Sequence, residues 1–234
     1  MDDQNELWAS TELKTAPTMA SRLTLFLIIS SCGLAADLWT KSHMFGKYGL
    51  PHKSPGVDEW VIEDFFGFQT AVNQGALFGM GQGGSSIFAL FSVIAFTAIL
   101  FWLIKGKAWK SRFLTICLGC ITGGVTGNFY DRMGWWHPLS HEQLIEWQWE
   151  AVKADYEYGV RDFIYFTYQG HVWPNFNIAD CLLVCGAFLL LVYSFKYDDE
   201  KQTLTEDTDN QPEFEDGDNE PPDQTKTSTN DATV

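Results

Sequence analysis

Apolar residues in this chain gather into four long runs, at residues 23–39, 85–104, 113–130 and 178–195. Each approaches the roughly 20 residues needed to cross the hydrocarbon core of a bilayer. A helix on the surface of a soluble core alternates apolar and polar faces, and the run at 85–104 has no polar face. The pattern therefore predicts a mainly α membrane protein with four transmembrane helices. Glycines at 119, 123 and 127 recur every four residues in the third run, a stripe that lets a neighbouring helix approach closely. Packing accounts for that stripe without any chemistry.

The polar segments between the runs set the orientation. The connection between the second and third runs carries Lys105, Lys107 and Lys110, with Arg112 just beyond. Basic residues favour the cytoplasmic side, so this connection and both termini are expected in the cytoplasm. Residues 40–84 and 131–177 then become outer loops. Asp37, Asn128, Asp131 and Asp180 all fall at the outer ends of spans, and Asn73 and Asp162 lie in loops on that same side. A carboxylate at the mouth of a membrane helix is costly, which makes it a candidate functional group.

In the first outer loop, Pro51, Pro55 and Gly56 mark turns. Residues 60–72, with Val61, Phe65, Phe66, Phe68 and Val72, read as extended and predict a small extracytoplasmic β-sheet lying against the membrane surface. The second outer loop opens with tryptophans suited to a headgroup boundary. Ser140 with Gln143 three residues later reads as a capping box, so a short amphipathic surface helix is expected to about Tyr158. His137, His141 and Glu142 are read as solvated loop residues, because Pro138 breaks the helix that would align them on a metal.

Composition sharpens this division. The chain is 46% hydrophobic, yet its mean hydropathy is only −0.10. Residues 198–234 explain the contrast: 13 of the 30 acidic residues lie there against Lys201 and Lys226, so that stretch carries −11 of the net −15. It cannot bury a core and is expected to be a disordered acidic cytoplasmic tail. Residues 1–20 are expected to form a flexible cytoplasmic extension, leaving 21–197 as the membrane domain. The five cysteines all sit inside apolar runs and read as packing residues, including the Cys117–Cys120 pair. Ile29-Ser30-Ser31-Cys32 has the look of a lipidation signal, but the apolar run continues past Cys32 and three more spans follow. The basic cluster is accounted for by orientation and implies no nucleic acid.

Five local strings carry a resemblance to one family. Asp37-Leu38-Trp39-Thr40-Lys41 is similar to DQxTK, and Asn73-Gln74-Gly75-Ala76-Leu77-Phe78-Gly79 to NxGAAFG. Gly123-Gly124-Val125-Thr126-Gly127-Asn128-Phe129-Tyr130-Asp131-Arg132 is similar to GGAxGNxxDR. Val160-Arg161-Asp162-Phe163 is similar to VxDF, and Phe176-Asn177-Ile178-Ala179-Asp180 to FNxAD. In this order they resemble the lipoprotein signal peptidases (signal peptidase II), membrane aspartic proteases of bacteria. Leu38 and Leu77 depart from the family's Gln and Ala, and residues from Trp135 to about Tyr158 form an insertion relative to its pattern.

The resemblance implies an aspartic endopeptidase that cuts diacylglyceryl-modified prolipoproteins before the lipidated cysteine. It implies Asp162 and Asp180 as the catalytic pair and Asn73, Asn128, Arg132 and Asn177 as substrate-binding residues. Asp37, Lys41 and Asp131 are expected to support them, with Asp131 holding Arg132 in place. No metal or other cofactor is expected. The enzyme is expected to be a monomer among membrane lipids, multi-pass in the bacterial inner membrane, with its site at the outer face. The alternative is a membrane carrier or proton channel using Asp37, Asp131 and Asp180, which should hold its acids near mid-membrane.

Overall fold

The computed structural model describes residues 18–51, 56–75, 84–136 and 156–209, with backbone alone from 196 onward. Four helices match the apolar runs: α1 Met19–Tyr48, α2 Ser85–Ile104, α3 Arg112–Arg132 and α4 Ile178–Asp209. All four contain a stretch long and apolar enough to cross a membrane. The third run is the least apolar because it is the centre of the bundle. In α3, 61% of the span is buried by protein, against 11% to 17% in the others. Lipid solvates the outer three, which is why Leu27, Ile28, Leu90, Phe91, Val184 and Phe188 are exposed to the surroundings.

The glycine stripe explains how α1 comes so close to α3. A Cβ at Gly119 would lie 3.0 Å from the Ile29 side chain, and one at Gly123 would lie 3.2 Å from the Ser30 carbonyl. Gly124 points elsewhere, at the Ala179 carbonyl of α4, 2.4 Å from where a Cβ would sit. At the end of the bundle away from the sheet, Phe26, Ile99, Leu103, Leu114 and Leu118 form an apolar cluster.

Helix α1 runs nine residues beyond Trp39, where the hydropathy pattern ends the span. Residues 40–48 contain no proline, and Asp37 pairs with Lys41 one turn on, both fully buried. Gly49 ends it with φ of 79° and donates its N–H to the Phe45 carbonyl. At 30 residues the helix is about 45 Å long, so it projects beyond a ~30 Å hydrocarbon core.

The segments between α1 and α2 and between α3 and α4 supply a four-stranded antiparallel sheet in the order β1-β2-β3-β4, with β1 Glu59–Ile62, β2 Phe66–Asn73, β3 Val160–Tyr168 and β4 His171–Phe176. The extended reading of 60–72 is thus corrected to a hairpin. Its turn passes through Asp64 at φ of 55°, a conformation that Asp tolerates better than most side chains. The β3–β4 turn uses Gln169 and Gly170, both at positive φ, as two-residue hairpin turns require. Between Phe68 and Ala71 the β2–β3 register shifts. The displaced backbone groups find side chains instead: Asp58 accepts the Thr70 N–H at 2.7 Å, and Asn175 donates to the Gln69 carbonyl at 2.8 Å.

Phe45, Trp136 and Phe163 form a second buried cluster that seats the sheet on α1. The surface helix expected from Ser140 to about Tyr158 lies, up to residue 155, outside the described residues, as do His137, His141, Glu142 and residues 1–17 and 210–234. The α4 backbone stays helical to Asp209, past Tyr197 where the apolar pattern stops. Residues 198–209 contain no Pro or Gly and several good helix formers. Residues from Lys196 belong to a separate unit.

Candidate active site

Asn177 is the residue from which the site is built. It stands between β4 and α4 as the N-cap of that helix. Its Oδ1 accepts the Asp180 N–H at 3.0 Å, and the Asp180 carboxylate accepts the Asn177 N–H at 3.2 Å. This reciprocal pair satisfies two of the orphan donors at a helix start. The Asn177 side-chain amide is then free to reach out, donating to Asp162 Oδ1 at 2.6 Å and to Asn128 Oδ1 at 3.2 Å. Asp162 and Asp180, 18 residues apart in the chain, thus hang from one asparagine.

Strand β3 brings Asp162 to that point. Its register pairs Asp162 with Ala71 and Asn73 with Val160, which places both at the same end of the sheet. Val160, Arg161, Asp162 and Phe163 are all buried, so this end of the strand is covered on both faces. Burial, followed by the negative charge of Asp180, pushes the Asp162 carboxyl well above the usual carboxylate range. Lys41 and the Asn177 hydrogen bond pull the other way without overcoming it.

Below the dyad lies a buried charge network centred on Lys41, itself 0% exposed. Its ammonium has three protons and meets three acceptors: Asp37 Oδ2 at 2.7 Å, Asp131 Oδ2 at 3.1 Å and Asn128 Oδ1 at 3.0 Å. Asn128 passes the connection on, donating through Nδ2 to Asp180 Oδ1 at 2.8 Å. Asp37 accepts the Ala179 N–H at 2.8 Å, another first-turn donor of α4. Room for the Asp37 carboxylate comes from Gly127, where a Cβ would sit 2.4 Å from Oδ2. The third glycine of the stripe therefore serves the site as well as the packing.

Asp131 does not hold Arg132, contrary to expectation. Consecutive residues on a helix point in different directions, and Asp131 turns inward to Arg161. It accepts Nη2 at 2.7 Å and Nε at 3.1 Å on Oδ1, and the Arg161 backbone N–H at 3.0 Å on Oδ2. Arg132 instead donates to the Gly75 carbonyl at 3.4 Å, with its guanidinium 5.5 Å from the centre of the Phe88 ring. It stays within electrostatic reach of Asp180 and Asp162. Asn73 folds its Oδ1 onto the Gly75 N–H at 2.9 Å, shaping the turn that offers Gly75 to Arg132.

Sequence reasoning missed Arg161 and Trp136, the latter lying 5.1 Å beneath the Arg161 guanidinium. The signal for Arg161 was present: a cation next to an aspartate in a strand points to the opposite face, and a buried cation needs a carboxylate there. The carrier alternative lacks support in this arrangement. Asp37 and Asp131 are both held by ion pairs within a single cluster, and among the described residues no succession of acids runs along the bundle. Among the described residues no group of His, Cys, Asp and Glu is arranged to hold a metal ion.

Comparison with known proteins points to one family. The family model described as "Signal peptidase (SPase) II" matches residues 29–196. A lipoprotein signal peptidase of Rhodopirellula baltica is 46% identical over 191 residues, covering 80% of this chain and 78% of that protein. One from Clostridium novyi is 31% identical over 168 residues, covering 71% of this chain and 95% of that protein. A solved structure described as a bacterial membrane enzyme superposes with a TM-score of 0.55 at 24% identity, covering 82% of this chain and 94% of that one. The last likeness concerns the fold.

Proposed function

The chain belongs to the signal peptidase II family, the lipoprotein signal peptidases, and from that premise we propose that it cuts by an aspartic mechanism with Asp162 and Asp180 as the catalytic pair. The observation that carries this reading is that both carboxyls accept from Asn177, Asp162 from its side-chain amide and Asp180 from its backbone N–H. Two carboxylates held this way do not ionise together near neutral pH, so they keep one proton between them.

On this reading Asp162 keeps that proton. Asp162 is the more deeply buried, and its Oδ1 is occupied by Asn177, which leaves Oδ2 to carry the hydrogen. Asp180 accepts from the Asn128 amide and the Asn177 N–H, two donors that serve its ionised form. Asp180 takes a proton from water, and the water oxygen attacks the scissile carbonyl while Asp162 gives its proton to the developing oxyanion. Collapse of the resulting diol returns a proton to Asp162, and Asp180 passes its own to the departing amine. Each carboxyl ends as it began.

The substrate on this reading is a prolipoprotein with a diacylglyceryl group on the cysteine that follows the cut. A site at the helix ends lets acyl chains stay in lipid while the peptide bond meets water. Arg132 and the turn at Asn73–Gly75 border the dyad and suit an extended peptide, whose carbonyls need donors and whose N–H groups need acceptors. The lysines between α2 and α3 favour cytoplasmic termini and an outward-facing site.

The test supplies purified protein with a diacylglyceryl-modified prolipoprotein and follows the shortened product by mass spectrometry. Asp162→Asn and Asp180→Asn should each slow cleavage by about 10²–10⁴-fold. Normal turnover by either variant would rule out the pair.

A further inference from the structure

We propose that Arg161 is a positioning residue for the catalytic pair: it ties the strand immediately before Asp162 to Asp131 and supplies the cation that balances the buried site when the pair holds one proton. This rests on the protease reading above.

The mechanical part follows from three bonds. Asp131 sits near the end of α3 and receives the Arg161 backbone N–H, Nε and Nη2, at 3.0, 3.1 and 2.7 Å. The backbone bond fixes the peptide one residue from Asp162, and the two-pronged guanidinium contact prevents the strand from rotating about it. Since Asp131 also binds Lys41, and Lys41 binds Asn128, which binds Asp180, a single buried chain runs from one catalytic acid to the other. Asn177 closes it into a ring. Trp136 covers the outer face of the guanidinium, and Arg161 is 3% exposed.

The electrical part follows from a count. Helix α1 contributes Lys41 and Asp37, α3 contributes Asp131 and Arg132, α4 contributes Asp180, and β3 contributes Asp162 and Arg161. Ala71, opposite Asp162 on β2, carries no charge. With one proton on the pair, three negative charges face three positive ones. Without Arg161 the negative charges are in excess, and the field of Asp131, which already opposes ionisation of Asp162, loses its immediate counter-charge. The Asp162 carboxyl then holds its proton more tightly, and its loss of that proton moves to higher pH.

Arg161→Gln and Arg161→Lys are compared with the unaltered enzyme on the same lipidated substrate across pH. Arg161→Gln should lower kcat by about 10-fold or more with KM changed less than threefold, and move the alkaline limb of the pH–rate profile upward. Arg161→Lys keeps the charge but not the fork, so its profile should stay in place while kcat falls only partly. If Arg161→Gln gives a protein too unstable to assay, the Lys variant carries the test, since full activity there would show the fork to be dispensable. Unchanged kcat in Arg161→Gln, or a loss confined to KM, would overturn the proposal while cleavage by the unaltered enzyme and its loss in Asp162→Asn leave the protease reading standing. Absence of cleavage by the unaltered enzyme would overturn both.

Discussion

A buried carboxyl that keeps its proton is useful for chemistry and unfavourable for folding, and Asp162 shows both sides. Its proton affinity is raised in the folded protein, mainly by burial and then by Asp180. The unfolded chain ionises this group above its ordinary value of 3.8, so rising pH favours the unfolded state until the folded group also ionises. Asp162→Asn should therefore match the unaltered protein in thermal stability near pH 4 and exceed it at pH 7. The gap should grow by at most about 1.4 kcal/mol per pH unit. A variant that is less stable at every pH would contradict the assignment of the proton. Single residues also mark where sequence reasoning reached its limit. Asp37, Lys41, Asn128, Asn177 and the two catalytic candidates were legible because each lies in a recognisable string. The partner of Asp131 was not, because adjacency in sequence favours Arg132 while the turn of the helix favours Arg161.

At the level of elements, the apolar runs gave four spans within a few residues, except where polar residues extend a helix for tertiary reasons. The end of α1 is such a case: Lys41 is polar in sequence but wholly buried in structure, its charge met by Asp37 and Asp131. Strands were harder to read. The hairpin at Asp64 has no Gly or Pro at its tip, and β3 is fixed by pairing with β2, a strand far away in sequence. The glycine stripe was visible, yet its third member has a role that spacing alone cannot reveal. Gly127→Ala would place a methyl group 2.4 Å from Asp37 Oδ2, and that carboxylate is held by Lys41 at Oδ2 and by the Ala179 N–H at Oδ1. A loss of about 1–3 kcal/mol and reduced cleavage are expected. Gly46→Ala in α1 meets nothing within 4 Å and should be neutral or stabilising by up to about 1 kcal/mol. Thermal unfolding of the two variants side by side distinguishes a tight seat from a general intolerance of larger residues.

On the scale of the whole molecule, charge is sorted by location. The net −15 is concentrated in residues 198–234, whereas the acids of the membrane domain near the site are matched by Lys41, Arg132 and Arg161. The lysine-rich connection between α2 and α3 argues for cytoplasmic termini. A green fluorescent protein fused to Val234 should consequently fluoresce in bacteria, and a periplasm-dependent reporter at the same position should stay inactive. The reverse pattern would invert the proposed orientation and put the dyad on the wrong side for exported substrates.

Asn177 both starts the last helix and carries the two acids. Fraying of that first turn breaks the Asn177 bonds to Asp180 and to Asp162 in the same motion, leaving Asp180 on the Asn128 amide and the strand of Asp162 on Asp131 without the bridge that joins the two acids. Warming should accordingly extinguish turnover along the same curve that exposes the amides of Ala179 and Asp180 to exchange with solvent, well before the spans themselves come apart.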